Sequence, residues 1–350
     1  MTGSVVTQSM SRALELARRG PVGPNPRVGA VVLDDQGQVA GEGWHEGAGT
    51  AHAEVVALAL AGARAAGGTA VVTLEPCRHT GRTAPCTQAL LDAGVARVVY
   101  ARPDRTAVAS GGAEVLRAQG VLVEYVADPD LRRTAEGLVE LWQLAHDLGR
   151  PVVTWKLATT LDGRSAAADG SSRWITGPVA RADVHDLRSE ADVVVVGTGT
   201  VLADDPRLTV RDSNGHDRPR QPLRAVMGWR DLPLGRRVDQ GSMAVRLRTR
   251  EPKDALAQLW ELDCRHVWLE GGPRLAAAFW RAGLVDRVVA YVAPALLGSG
   301  AGAVADLGIT TIAGVARLIL DDVTQVGDDV RLMLRPTTAT TLSVTNGRGA

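Results

Sequence analysis

Aromatic side chains are scarce in this chain: its 350 residues include 8 Trp, 3 Tyr and 1 Phe. A core must therefore be filled mainly by Ala and Val, within a hydrophobic fraction of 45%. Cysteine is scarcer still, and 3 thiols cannot build a disulfide framework. No apolar run approaches the roughly 18 residues that a membrane-spanning helix needs. The first residues lack the basic-then-apolar order of a signal peptide. A soluble, cytoplasmic protein with no membrane partner is expected. Charge of one sign is not in excess either, since 39 Lys plus Arg balance 39 Asp plus Glu. That balance argues against nucleic acid as a partner, which needs a broad basic footprint. A length of 350 residues exceeds one core of typical size, so two domains are expected.

What is present is an alternation of β-branched runs with Ala-rich stretches, the pattern of an α/β protein. Segments 27–34 and 38–44 predict a hairpin, and 53–66 predicts a helix closed by Gly67-Gly68. Strands are expected over 70–74, 95–101 and 121–126, then a helix over 129–148. Gly149-Arg150-Pro151 is a breaker where one domain would hand over to the next, giving domains 1–148 and 149–336. The second half predicts strands at 152–159, 192–197, 223–228, 266–270, 287–292 and 329–334, with helices at 179–189 and 273–282. Residues 337–350 carry almost no apolar periodicity and read as a disordered tail.

One constellation points to a metal. His52-Ala53-Glu54 opens the Ala-rich helix; Cys77 follows Glu75-Pro76 at a strand end, and Cys86 follows Pro85 at the start of another helix. One His and two Cys make three ligands and leave a position for water, as hydrolytic zinc chemistry needs. Residues two apart diverge by roughly 200° around a helix. His52 and Glu54 can therefore share a pocket only from the open first turn, which suits Glu54 as a proton-carrying group that is not a ligand. Pro85 at a first helical position would put Cys86 where the helix dipole favours thiolate. A closed structural zinc with His79 as fourth ligand is the alternative, and His79 and Arg82 can equally belong to a solvated loop. Cys264 reads as a small core residue.

His-x-Glu followed by Pro-Cys-x-x-Cys is the zinc deaminase signature. Here eight residues, 78–85, separate the cysteines. The string Leu74-Glu75-Pro76-Cys77-Arg78-His79-Thr80-Gly81-Arg82-Thr83-Ala84-Pro85-Cys86, with Gly23-Pro24-Asn25-Pro26-Arg27-Val28-Gly29 upstream, resembles the deaminase half of the bifunctional riboflavin-biosynthesis deaminase/reductases. That resemblance implies a cytidine-deaminase-like three-layer domain, zinc on His52, Cys77 and Cys86, and Glu54 as the catalytic acid/base. It also implies Asn25, His79 and Arg82 as substrate contacts. The loop Asp104 to Gly112 departs from the family, which carries Asp-Pro-Asn-Pro there.

In the second half, Gly197-Thr198-Gly199-Thr200 follows a strand but lacks the third glycine of a Rossmann fingerprint, position 202 being Leu. Glycine-rich turns here and at Glu270-Gly271-Gly272-Pro273 still offer backbone N–H groups to phosphates. Ordered blocks resemble the reductase half of the same family: Lys156 with Leu161-Asp162-Gly163, Ser172-Arg173-Trp174-Ile175-Thr176, Leu187-Arg188, the run from Gly197 to Pro206 with Leu208 and Arg211, the Glu270 turn, and Ala293-Pro294 with Leu297-Gly298. The resemblance implies a dihydrofolate-reductase-like domain using NADPH. It places Ala158, Trp174, Thr200, Asp204 and Gly272 on the cofactor, and Lys156, Ser172, Arg188, Leu208, Arg211 and Glu270 on the substrate. Arg188 and Arg211 suit a sugar phosphate as planar donors. Met227-Gly228-Trp229 departs from the family at the adenosine side.

Together these imply deamination of a pyrimidine ribosyl phosphate, then reduction of its ribosyl group, by a dimer. Rival readings are a nucleoside or tRNA deaminase with an appended domain, and a non-catalytic zinc-stabilised binding module.

Overall fold

The computed structural model describes residues 3–80, 84–107, 109–241 and 244–337. Its contacts separate Met1–Gly149 from Arg150–Ala350.

The first unit runs α1 (Gly3–Ala17), β1 (Gly29–Leu33), β2 (Val39–Trp44), α2 (Ala53–Ala61), β3 (Thr69–Val72), α3 (Cys86–Asp92), β4 (Arg97–Tyr100), α4 (Gly112–Ala118), β5 (Leu122–Tyr125) and α5 (Pro129–Leu148). The sheet order is β2-β1-β3-β4-β5, with β1 antiparallel to both neighbours and β3, β4 and β5 parallel. Successive side chains of a strand point to opposite faces. Accordingly Ala30, Val32, Ala70 and Val72 pack against α2, α3 and α4, while Val31, Leu33 and Val71 pack against α1 and α5. This is the expected three-layer α/β arrangement, and cover on both faces explains the unbroken apolar runs. Helix α2 lies almost on the sheet: a Cβ at Gly41 would sit 2.1 Å from the Ala57 carbonyl oxygen.

The second unit contains β6 (Val152–Thr160), α6 (Pro178–Arg188), β7 (Val193–Gly197), α7 (Thr198–Asp204), β8 (Leu223–Met227), β9 (Val245–Leu247), α8 (Pro252–Glu261), β10 (His266–Leu269), α9 (Pro273–Arg281), β11 (Arg287–Ala293), β12 (Leu318–Val326) and β13 (Asp329–Pro336). Its eight strands are ordered β12-β13-β11-β6-β10-β7-β8-β9. The six from β11 to β9 are parallel, and β13 and β12 add an antiparallel edge. One face packs Val153, Val195 and Leu269 under α8 and α9; the other packs Val194, Val226 and Trp268 under α6 and α7.

The structure corrects several sequence expectations. The helix expected over 53–66 ends at Ala61 and tightens into a 3-10 turn, Gly62–Ala65, because Gly62 has a left-handed φ of 55°. Helices α1 and α4 and strands β9 and β12 were not read from the sequence; β12 hides because Asp321 and Asp322 interrupt it at a register shift. Gly149 closes α5 as a left-handed C-cap. Thr337 is tied back, its N–H and hydroxyl both donating to the Arg317 carbonyl oxygen; the rest of the expected tail, 338–350, lies outside the described residues. Among the described residues no helix is long and apolar enough to cross a membrane.

Candidate active sites

His52 is the N-cap of α2 and Glu54 lies in its first turn, the open position the spacing required. Pro85 turns out to be the N-cap of α3, so Cys86 itself is the first helical residue. The Cys86 N–H donates to the Cys77 sulfur at 3.5 Å. His52 Nδ1 stands 3.0 Å from Cys86 Sγ and 3.5 Å from Cys77 Sγ, and the three donor atoms all lie within 4.8 Å of one another. His79 is not one of the converging donors.

Electrostatics sharpen this picture. The Cys86 thiol hydrogen-bonds to Cys77 and pulls it down to about 4, against burial and with help from His52. The same bond, together with burial, pushes Cys86 up. His52 is raised by its hydrogen bond with Cys77. Glu54 is buried, and burial pushes its carboxyl up. Two sulfurs and an imidazole nitrogen at these separations fit a tetrahedral zinc, whose bonds are about 2.3 Å to sulfur and about 2.0 Å to nitrogen.

Beside the donors, Asn25 Nδ2 lies 2.9 Å from Nε2 of buried His45, whose Nδ1 faces the Ala51 carbonyl oxygen at 3.1 Å. The His45 and His52 rings meet edge-on at 5.4 Å. Trp142 of α5 donates its indole N–H to the Pro24 carbonyl oxygen at 2.8 Å, which fixes the Asn25 segment. The altered loop is anchored by buried Glu75, whose two carboxylate oxygens accept from the Asp104 and Ala113 N–H groups at 3.1 and 2.9 Å. Sequence reasoning missed His45, Trp142 and Glu75. Only His45 left a signal, as a histidine at a strand end shortly before His52. His79 is half-buried, and its Nδ1 has no hydrogen-bond partner among the described residues. Arg82 lies outside the described residues.

In the second unit Thr200 follows β7, and Glu270 and Gly272 follow β10, so these three lie beyond the carboxyl ends of parallel strands, where open α/β sheets bind ligands. Lys156 and Ala158 are two apart on β6 and so share a face. Glu270 follows β10 and takes hydrogen bonds from Arg188 Nε and Nη2 and from the Trp268 indole. Burial alone would raise Glu270, but the charges of Arg188 and Lys156 outweigh it and hold the carboxyl below its usual range. Burial lowers Lys156, against the pull of Glu270. Arg188 Nη1 also donates to the Thr209 carbonyl oxygen at 2.8 Å, so most of its donors are engaged within the protein.

Arg211 flanks His185: its N–H donates to Nδ1 and its Nη2 lies against Nε2, both at 3.3 Å. Burial pushes His185 down to about 4, reinforced by Arg188 and Arg211. Arg211 is itself lowered by burial and by the neighbouring charges of Arg188 and Arg207. Buried Leu208 has a left-handed backbone, φ 57°, uncommon for a branched side chain. Thr200 Oγ1 accepts the Gly272 N–H at 3.3 Å, joining the two glycine-rich turns. Arg173 donates to the Asp204 carbonyl oxygen. Ser172 is half-buried, and Trp174 is 67% exposed with the Arg181 guanidinium 4.4 Å over its ring. The two turns lead into the N-termini of α7 and α9, whose backbone N–H groups suit the phosphates of a dinucleotide; Gly271 is packed so closely on Leu275 that a Cβ there would lie 2.5 Å from that side chain.

Comparison with known proteins identifies the family of both units. Residues 4–102 match the family profile described as "Cytidine and deoxycytidylate deaminase zinc-binding region", and residues 151–332 match "RibD C-terminal domain". The chain is 48% identical over 338 residues to the riboflavin biosynthesis protein RibD of Mycobacterium tuberculosis, covering 94% of this chain and 97% of that one. It is 40% identical to RibD of Escherichia coli, covering 93% and 98%. Among solved structures it superposes on Acinetobacter baumannii RibD with a TM-score of 0.85 at 38% identity, over 96% of this chain and 100% of that one. A diaminohydroxyphosphoribosylaminopyrimidine deaminase/5-amino-6-(5-phosphoribosylamino)uracil reductase from Thermotoga maritima gives 0.82 at 30% identity, over 95% and 99%. The chain therefore belongs to the RibD family, the bifunctional enzymes of riboflavin biosynthesis that join a zinc-dependent deaminase to an NADPH-dependent reductase.

Proposed function

We propose that domain 1–148 deaminates 2,5-diamino-6-ribosylamino-4(3H)-pyrimidinone 5′-phosphate and that domain 149–336 then reduces the ribosyl group to ribityl. The convergence of His52, Cys77 and Cys86 beside a buried carboxyl, Glu54, carries this reading. When bound, zinc supplies the Lewis acidity that makes water a nucleophile near neutral pH. Glu54, its proton affinity raised by burial, takes a proton from the attacking water and gives it to the amine nitrogen that leaves as ammonia. Asn25 meets the pyrimidine edge through its amide. His79, with its unpartnered ring nitrogen, and Arg82 serve the phosphate end.

In the second domain Ala158, Trp174, Thr200, Asp204 and Gly272 hold NADPH, which when bound supplies the hydride. Lys156, Ser172, Arg188, Leu208, Arg211 and Glu270 hold the substrate, with Arg211 nearest to an unpaired cation. Hydride goes to C1 of the ring-opened ribosyl group, and a proton goes to the heteroatom doubly bonded to it. Lys156 is the donor best suited to that proton, since burial makes its ammonium readier to release one.

A homodimer is the expected assembly, and the apolar edge supports it: Ile312, Leu320 and Val323 are all exposed at or beside β12. The cytoplasm is the expected location. The full chain should release ammonia from the pyrimidine ribosyl phosphate and not from cytidine or from adenosine in tRNA, and NADPH should be consumed only once the deaminated product is present. Ammonia from free nucleosides alone would favour the nucleoside deaminase instead.

A further inference from the structure

Two contacts beside the zinc donors fix more than the position of Asn25. His45 Nδ1 stands 3.1 Å from the Ala51 carbonyl oxygen, a group that can only accept. Nδ1 must therefore carry the ring proton. Burial disfavours a second proton on the ring, so Nε2 is bare and accepts. Asn25 Nδ2, 2.9 Å away, is the donor that meets it. Turned the other way round, the amide would set its oxygen against a lone pair. Asn25 thus has one permitted orientation, with Nδ2 engaged by His45 and Oδ1 as the end turned away from it. The relay is tied down at each end. The His45 N–H donates to the Val28 carbonyl oxygen at 3.0 Å, and the loop returning to Ala51 is closed by Thr50, whose N–H and hydroxyl both donate to the Gly47 carbonyl oxygen at 3.1 and 2.7 Å. Trp142 holds the Asn25 segment from the other side, through Pro24.

A reader that can only accept makes a chemical choice. In the 2,5-diamino-6-ribosylamino-4(3H)-pyrimidinone of the proposed reaction the reacting carbon is C2, because the 5-amino group survives in the aminouracil for which the reductase of the Thermotoga maritima relative is named. C2 is flanked by N1, which is bare, and by N3, which carries hydrogen. In cytosine the amine-bearing carbon lies between a bare nitrogen and a C–H. In adenine it lies between a bare nitrogen and a ring-fusion carbon. Neither base offers an N–H beside the reacting carbon, and the exocyclic amine, which donates in all three, cannot tell them apart. An amide oxygen held for a ring N–H is left unpaired by cytosine and adenine, and sites built to hydrogen-bond a donor reject analogues that lack it for this reason.

We propose that His45 is a positioning residue of the deaminase unit: by holding the Asn25 amide with Oδ1 toward the ligand, it makes the site select a ring N–H beside the amine-bearing carbon. This rests on the deaminase function proposed above. Titration calorimetry on the zinc-loaded full chain, in a Glu54→Gln background to prevent turnover, would compare the diaminopyrimidinone ribosyl phosphate with 5′-CMP. His45→Leu frees the amide to turn. Binding of the pyrimidinone should fall about tenfold, the scale of one hydrogen bond lost from a buried site, while 5′-CMP holds or gains, since a turned amide can donate to a bare ring nitrogen. Asn25→Ala should weaken the pyrimidinone by a similar factor, and adding His45→Leu to it should cause no further loss, as when one residue acts through another. A plain packing role for His45 would weaken both ligands together or add to the loss in Asn25→Ala, and either result overturns the proposal. Nitrogen NMR of the imidazoles in the wild-type chain needs no substitution: His45 should show a protonated Nδ1 and a bare Nε2, and the opposite tautomer overturns the proposal as well. A preference for the pyrimidinone that persists in His45→Leu sinks this inference alone. A Glu54→Gln chain that binds 5′-CMP as tightly as the pyrimidinone sinks the deaminase reading beneath it.

Discussion

Arg188 and Glu270 meet as a forked pair at the heart of the reductase cluster, with Arg188 Nη2 at 2.7 and 2.8 Å from the two carboxylate oxygens. The pair is nearly sealed from solvent, and Lys156 acts on the same carboxylate. Glu270→Gln would leave two buried cations sharing no anion. The second unit should lose about 3 kcal/mol of stability, the scale for breaking a buried pair, while zinc content and ammonia release stay normal. The pH dependence has a definite sign. Glu270 is held below its ordinary 4.5, so its contribution is fully present above that value and is lost as pH falls through the lowered folded value. Acid unfolding monitored on wild type and Glu270→Gln should converge at low pH; a constant gap between the two curves would contradict the pairing.

Zinc should be held at about one ion per chain through a soft donor set. Replacing Cys86, the residue that also donates its N–H to Cys77, by Ser should abolish tight binding in metal analysis. Full retention of zinc in that variant would remove Cys86 from the ligand set.

Glu54→Gln tests a different link. Its side chain is buried beside the donors, and the amide keeps size and shape but cannot carry the proton. Zinc content and folding should be preserved while ammonia release falls by about two to four orders of magnitude. Reduction of the deaminated product should proceed as before. A normal rate of ammonia release would show that another group moves the proton.

Arg211 separates substrate from cofactor. Its guanidinium faces His185, and its Nε is buried without a partner among the described residues. Arg211→Ala should raise the substrate KM while NADPH affinity is nearly unchanged, and Lys should restore charge without the fork. The reverse split in a titration would reassign it to the cofactor.

Gly112 tests how the altered loop supports the metal. A Cβ there would stand 1.8 Å from the Pro76 carbonyl oxygen, one residue before Cys77. Gly112→Ala should cost about 1–3 kcal/mol or more by overpacking and should loosen zinc, measured as faster loss to a chelator. Unchanged zinc retention would show that α4 shifts freely without pulling the ligand strand.

Much of this was legible because the chemistry sits in short strings. His52 and Glu54 are two residues apart, and Cys77 and Cys86 frame one loop, so local spacing alone suggested a three-ligand site with an acid. The partners that tune those strings are remote. Trp142 reaches back to Pro24, and the Asn25 amide is met by His45; no local pattern encodes either approach. Arg188 read as a free donor for a sugar phosphate, because a guanidinium has no visible partner until β10 places Glu270 beside it. Strand β12 escaped because it is a largely exposed edge strand broken by a register shift, so it carries no alternating apolar pattern to read.

Strand β10 sits between β6 and β7 and is parallel to both, yet it follows both in the chain. During synthesis, then, Val153 and Val193 leave the ribosome long before the strand that seams them together. Until Leu269 has emerged, two valine-rich edges stand open, each a template for the wrong neighbour. Parallel pairing at such separations is slow to form. A nascent chain stalled before β10 should therefore recruit chaperones and aggregate without them, whereas one stalled after α5 should already contain a finished first unit. Yield in a foreign host would then depend more on the pace of translation through the second half than on the stability of the completed enzyme.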